Sequence, residues 1–243
     1  MDNIFSRTEL IYGKPAIEKL KKSHVAVFGV GGVGGYVVEA LARSGVGHFT
    51  LIDADKVSLT NINRQIIATQ DSIGKDKVGV MKVRILSINP CAVVDTKNMF
   101  FLPENANEID FEKFDYIVDA IDTVKAKIVL ASIAEDKNIP IISSMGAGNK
   151  VNPMGFAVTD ISKTEVDPLA KTMRLELRKR GIKHLKVVYS KEKPIKPIES
   201  ISENGKRELP GSNAFVPAAA GLLIASEVVR DLTNDVVRDV LKR

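Results

Sequence analysis

Apolar and polar residues fall into blocks of recognisable length along the first 150 positions. Residues 24–29 form a short apolar run ending in a glycine, and 33–44 carry apolar residues at helical spacing. A second run covers 48–53, a helical pattern 77–88, and a third run 92–97. Runs at 116–120 and 140–144 flank a helical stretch from about 125 to 136. Strands alternating with helices predict βαβ units. The runs VAVF, YIV and PII are apolar throughout instead of at every second residue, as a parallel sheet covered on both faces requires.

After Gly148 the rhythm changes. Residues 155–159 and 186–189 read as strands, with a basic helix over 168–180 between them. Residues 191–213, rich in Lys, Pro, Glu, Ser and Gly, read as a mobile loop, and an apolar helix then closes the chain. The expected fold class is α/β: a Rossmann-like, mostly parallel sheet flanked by helices, with an antiparallel C-terminal extension of the sheet. One domain is expected over 1–243, with a nucleotide-binding half at about 20–150 and a substrate-binding half at about 151–243.

Composition narrows the setting. The longest apolar run, 214–229, contains Pro217, Gly221, Ser226 and Glu227 and falls short of the roughly 20 apolar residues of a membrane span. No secretion signal opens the chain, and the single cysteine, Cys91, excludes an intramolecular disulfide and a four-cysteine zinc site. A reducing, cytoplasmic compartment is expected. Cys91, beside Pro90 before an apolar run, reads as structural. The net charge is +5, but 171–196 holds ten basic residues against Glu176 and Glu192. Such a cluster suits a polyanion such as RNA, or equally a solvated helix face.

The chemistry starts at Gly29-Val-Gly31-Gly32-Val-Gly34, which follows a strand and opens a helix. Glycines allow a tight turn and close approach to phosphate, and the helix N-terminus offers free N–H groups. Asp53 ends the next strand, where an acid meets ribose hydroxyls. Up to this point the pattern says nucleotide, NAD included. Asp53 then leads into a polar loop holding Asp55, Asn61, Arg64 and Gln65, with Lys77 opening the next helix. An Arg and a Lys there suit a triphosphate whose pyrophosphate must leave, or they are surface cations. Asp122, just past the strand at 116–120, can hold Mg²⁺ or cap the helix that follows. Asp119, at the end of that apolar strand, reads as structural.

GVGGVGG, DADKVSLTNINRQ, GKDKV and DAIDT, in that order, resemble the ATP-binding signature of ubiquitin-activating-enzyme-like adenylyltransferases. The resemblance implies ATP held by Gly29, Gly31, Gly32 and Gly34 at the phosphates and Asp53 at the ribose. It puts Asp55, Asn61, Arg64, Gln65 and Lys77 around the nucleotide and Mg²⁺ on Asp122, and casts Arg64, Lys77 and Asp122 as catalytic. The paired CxxC motifs of sulfur-carrier adenylyltransferases are missing, as is a transferring cysteine. FSRTELIYG, SSMGAGNKVNPM, DPLAKTMRLELRKRGI, VVYSKEKP and GSNAFVPAAAGLLIASEVV resemble one branch instead, the tRNA threonylcarbamoyladenosine dehydratases. That branch implies ATP-dependent cyclisation of the threonine side chain at tRNA position 37, through an acyl-adenylate and without an enzyme cysteine. It also implies a homodimer and gives Lys171, Arg174, Arg178, Lys179 and Arg180 a role on tRNA phosphates. Arg7, in the first of these stretches, is a further candidate for the nucleotide of a partner subunit. A monovalent cation on backbone carbonyls and a sulfur-transfer protein are further possible partners that no spacing argument reveals; DNA is not expected. The rivals are an adenylyltransferase of a ubiquitin-like or sulfur-carrier protein, a NAD-dependent oxidoreductase, and a non-catalytic nucleotide- or RNA-binding module.

Overall fold

The computed structural model describes residues 3–199, 202–203 and 207–237. Two short helices come first, α1 (Ser6–Tyr12) and α2 (Lys14–Lys22), which pack on each other, α2 also against the last helix of the chain. Then come β1 (His24–Phe28), α3 (Gly34–Ser44), β2 (His48–Ile52), α4 (Lys77–Ile88) and β3 (Val93–Lys97). These are followed by β4 (Tyr116–Asp119), α5 (Val124–Asp136), β5 (Ile141–Ser144), β6 (Phe156–Asp160), α6 (Pro168–Lys179) and β7 (Lys186–Ser190). A small hairpin, β8 (Ser202–Glu203) with β9 (Arg207–Glu208), precedes the long α7 (Val216–Val237).

The seven-stranded sheet has the order β3-β2-β1-β4-β5-β7-β6. All neighbours are parallel except β6, which runs antiparallel to β7 at the edge. The expected fold class is borne out. In β1, Val25 and Val27 face one core with α3 and α7, while Ala26 and Phe28 face the other with Phe101, Phe111 and α5. Both sides are covered, which is why the strand is apolar without alternation. A third cluster joins α5 and α6 to β7 through Ala131, Met173, Leu177 and Val187.

Two segments depart from the sequence reading. The N-terminal helices were not foreseen. The stretch 191–213 contains β8 and β9 and is tied down near its ends, Ile195 N–H to the Asn149 carbonyl and Gly211 N–H to Asn149 Oδ1. The mobility expected at 200–201 and 204–206 lies outside the described residues. No helix of the described residues is long and apolar enough to cross a membrane.

Candidate active site

The strand order reverses between β1 and β4, and in an open α/β sheet the crevice at the C-terminal strand ends beside such a switch is where ligands bind. The glycine turn and the loop after β4 meet there. Gly29 leaves β1 with φ +88°, and a Cβ on it would lie 2.6 Å from the Ala120 carbonyl oxygen. A Cβ on Gly34 would fall 1.8 Å from the Gly29 carbonyl oxygen. A side chain at Gly29 would push the two loops apart, and one at Gly34 would open the glycine turn itself. The first turn of α3 has no side-chain cap, and its Gly35, Tyr36 and Val37 N–H groups go to the Gly31 and Val33 carbonyls. Those of Gly31, Gly32 and Val33 in the turn itself make no hydrogen bond among the described residues and are the ones left for an anion.

Asp53 closes this turn from the β2 side. Its carboxylate accepts from Val30 N–H at 2.7 Å and from Asp55 N–H at 2.8 Å, which sets the acid against the glycine loop. Asn61 is buried and accepts from Ser58 N–H. Arg64 donates to the Thr60 carbonyl and Asn63 Oδ1, local partners that a phosphate can replace. Gln65 is buried, its amide nitrogen 3.8 Å from where a Cβ on Gly31 would stand, and its Oε1 has no hydrogen-bond partner among the described residues. An orphaned buried amide oxygen costs about 1–3 kcal/mol. A ligand donor on the glycine turn, such as a ribose hydroxyl or an adenine amine, would satisfy it, and the cradle fits a nucleotide on that ground.

Lys77 and Asp55 form an ion pair at 2.6 Å with the lysine side chain only 6% exposed. The structure thus places both beside the predicted site but engaged with each other. Asp122 is exposed, and among the described residues its carboxylate meets only the Thr123 hydroxyl, at 3.3 Å. The N-cap of α5 is Thr123, with no side-chain cap. Asp122 is therefore not a helix cap, and its carboxylate is open at the strand-end edge. Arg7 sits on α1, exposed.

Two buried pairs under this edge escaped the sequence reading. Asp119, as expected for a structural acid, accepts from Ile121 N–H, and it also takes the Ser143 hydroxyl at 2.6 Å and Lys127 Nζ at 3.0 Å. Lys127, fully buried, donates further to the Ile121 carbonyl, so it pins the loop that carries Asp122. Lys150 and Asp167 pair at 2.7 Å, both fully buried; Asp167 also caps α6 through Ala170 N–H. The available signal was a lysine inside an apolar helical pattern, VKAKIVL, for the first pair. None existed for the second.

The five residues expected on RNA do not act together. Lys179 and Arg180 both bind Glu176, and Arg174 is held by Thr164. Lys171 lies in the first turn of α6, beside the capping Asp167, whereas Arg178 lies in its last turn. At the opposite end of the sheet, the His24 and His48 rings stack at 3.5 Å and His48 meets Asp95 at 3.0 Å. His24 Nε2 is engaged by the Thr50 hydroxyl at 2.8 Å. Exposed Cys91 lies at that same end, just before β3, remote from the glycine turn.

The ThiF family model matches residues 5–242. The chain belongs to the ThiF family. Over 243 residues this ThiF-family chain is 48% identical to the tRNA threonylcarbamoyladenosine dehydratase of Bacillus subtilis, covering 96% of its own length and 95% of that protein. The crystal structure of the Escherichia coli tRNA N6-threonylcarbamoyladenosine dehydratase with ATP superposes with a TM-score of 0.87 at 34% identity, over 96% and 95% of the two chains. The molybdopterin-synthase adenylyltransferase of Haemophilus influenzae is 35% identical over 126 residues, only 52% of this ThiF-family chain and 51% of that one.

Proposed function

We propose that the protein is an ATP-dependent dehydratase that cyclises N6-threonylcarbamoyladenosine at position 37 of tRNA. One observation carries this: the likeness to dehydratases runs through 96% of the chain, substrate half included, whereas the likeness to a carrier-protein adenylyltransferase stops at about half. About 20–150 binds ATP and about 151–243 meets the RNA.

The threonine carboxylate oxygen attacks the α-phosphorus of ATP, the bond to pyrophosphate breaks, and an acyl-adenylate forms. The neighbouring ureido group then attacks the acyl carbon, AMP departs and a proton is lost. Water leaves the nucleoside as part of AMP and pyrophosphate. Nucleophile and electrophile share one side chain, so effective molarity is high and no enzyme thiol is needed. The free N–H groups of the glycine turn ahead of α3, and Arg64, would meet the charge that builds on the phosphates. Lys77 joins them by exchanging Asp55 for a phosphate oxygen. Gln65 and Asp53 orient the nucleoside. Asp122 would hold Mg²⁺, which supplies charge neutralisation on the leaving pyrophosphate.

The reading includes a homodimer and a cytoplasmic setting, where its RNA is. Support for the dimer comes from the exposed apolar residues Val151, Met154 and Phe215. They are drawn together by the Asn213 amide on the Lys150 carbonyl and by α7 packing on Pro153–Gly155.

The test is mass spectrometry of nucleosides from tRNA incubated with protein, ATP and Mg²⁺. A product lighter by one water is expected, and D122A should abolish it while melting at the wild-type temperature, since Asp122 is exposed and its one contact is with the exposed hydroxyl of neighbouring Thr123. No product, with ATP–pyrophosphate exchange stimulated by a Gly-Gly-ended protein, would assign a carrier-protein adenylyltransferase instead.

A further inference from the structure

The basic residues of the second half divide between the two ends of the sheet, and those without an ion-pair partner are concentrated at one of them. β7 runs parallel to β5, so residues after Ser190 emerge on the same edge as Asp122. Lys191, Lys193 and Lys196 lie there, exposed. The segment is held in place: Lys191 N–H donates to the Gly155 carbonyl and Ile195 N–H to that of Asn149. The one acid among them, Glu192, is turned away, its carboxylate accepting the N–H groups of Val151 and Asn152. Lys125, in the first turn of α5, and Lys171, in that of α6, stand on the same edge. Among the described residues none of these five ammonium groups has an ion-pair partner.

The far end differs. Arg178, Lys179, Arg180 and Lys183 lie at or beyond the last turn of a 12-residue helix, about 18 Å from its start. Glu176 takes up Lys179 and Arg180, Asp160 takes His184, and Asp231 takes Lys186. Of these Lys and Arg residues, Arg178 and Lys183 alone are left without an ion-pair partner among the described residues.

We infer that the RNA backbone is received on the strand-end edge by Lys125, Lys171, Lys191, Lys193 and Lys196, and not by the basic C-terminal turn of α6. The inference rests on the proposed RNA substrate and specifies how that substrate docks. The reacting nucleoside must enter the crevice beside the glycine turn, so phosphates on either side of it pass over this edge. Free ammonium groups around the mouth draw in those phosphates without reading sequence and release counterions in doing so. Charges at the opposite end would hold the RNA by a part that leaves its reactive base out of reach.

The experiment uses the full chain and an RNA stem-loop carrying the modified adenosine. Binding is followed by filter retention across a salt series, conversion by nucleoside mass spectrometry, and ATP affinity separately. The variants are K191Q/K193Q/K196Q, K125Q/K171Q and, for the far end, R178Q/K183Q. Both edge variants should weaken RNA binding about tenfold, with the salt slope falling by about 0.7 for every phosphate the protein no longer neutralises. ATP affinity and melting temperature should stay at wild-type values, and R178Q/K183Q should bind RNA nearly as wild type does. Unchanged RNA binding in the edge variants, or a larger loss in R178Q/K183Q, overturns the assignment even if wild type converts its substrate. If wild type binds RNA through the edge but makes no dehydrated nucleoside, the surface stands and the proposed reaction fails.

Discussion

Lys127 shows how much a single buried charge can govern. Its side chain is fully buried, so its ammonium depends on Asp119 and the Ile121 carbonyl. K127M removes that charge and leaves buried Asp119 with only the Ser143 hydroxyl and the Ile121 N–H as partners. Breaking a buried pair from one side costs about 3–5 kcal/mol. Urea unfolding of K127M should show a loss of that size, and K127M/D119N should recover part of it. A wild-type midpoint in K127M would mean that water reaches Asp119. The placing of Asp122, Arg64 and Lys77 at the strand-end edge was legible in the sequence because each follows an apolar strand run or opens the helix after it. Lys127 and Lys150 were not, because a lysine in a chain reads as a solvated one. Their partners, eight and seventeen residues away, become partners only once strand and helix are packed. For Lys77 the residue was visible, but its engagement with Asp55 was not.

At the scale of elements, the parallel strands were readable because both their faces are buried, and α3 to α6 because each shows one apolar face. The helices α1 and α2 were not. Leu10 and Ile11 of α1 are exposed, so it has no inside to announce, and α2 buries only Ala16, Ile17 and Leu20. The starts of β1 and β2 carry a further property that no periodicity signals. Burial, and then the facing His48, hold the His24 imidazole down at about 4, against the opposing pull of Asp95, Asp115 and the Lys113 backbone. An unfolded histidine titrates near 6.5. Below that pH the unfolded chain gains a proton that the folded one refuses, so stability falls as pH drops from about 6.5 to about 4. Denaturation midpoints of wild type and H24Q should therefore converge across that window. Parallel curves would show that His24 is protonated in the fold without cost.

For the whole molecule, one sheet serves both halves, and its apolar patch at Val151, Met154 and Phe215 lies where α7 meets the loop before β6. Sedimentation of M154D/F215D should shift a dimer to a monomer with the fold intact; a monomeric wild type at micromolar concentration would remove the dimer from the reading. The same helix has another consequence. A Cβ on Gly221 of α7 would stand 2.5 Å from the Val33 carbonyl oxygen, and Pro217 abuts Gly32, so the first helix of the crevice is roofed by the last one made. A ribosome adds about 5–20 residues per second. The newly made β1 and α3 therefore wait on the order of ten seconds or more, with an apolar flank uncovered, before their cover exists. Assembly of the crevice is thus a late event in the life of the nascent chain.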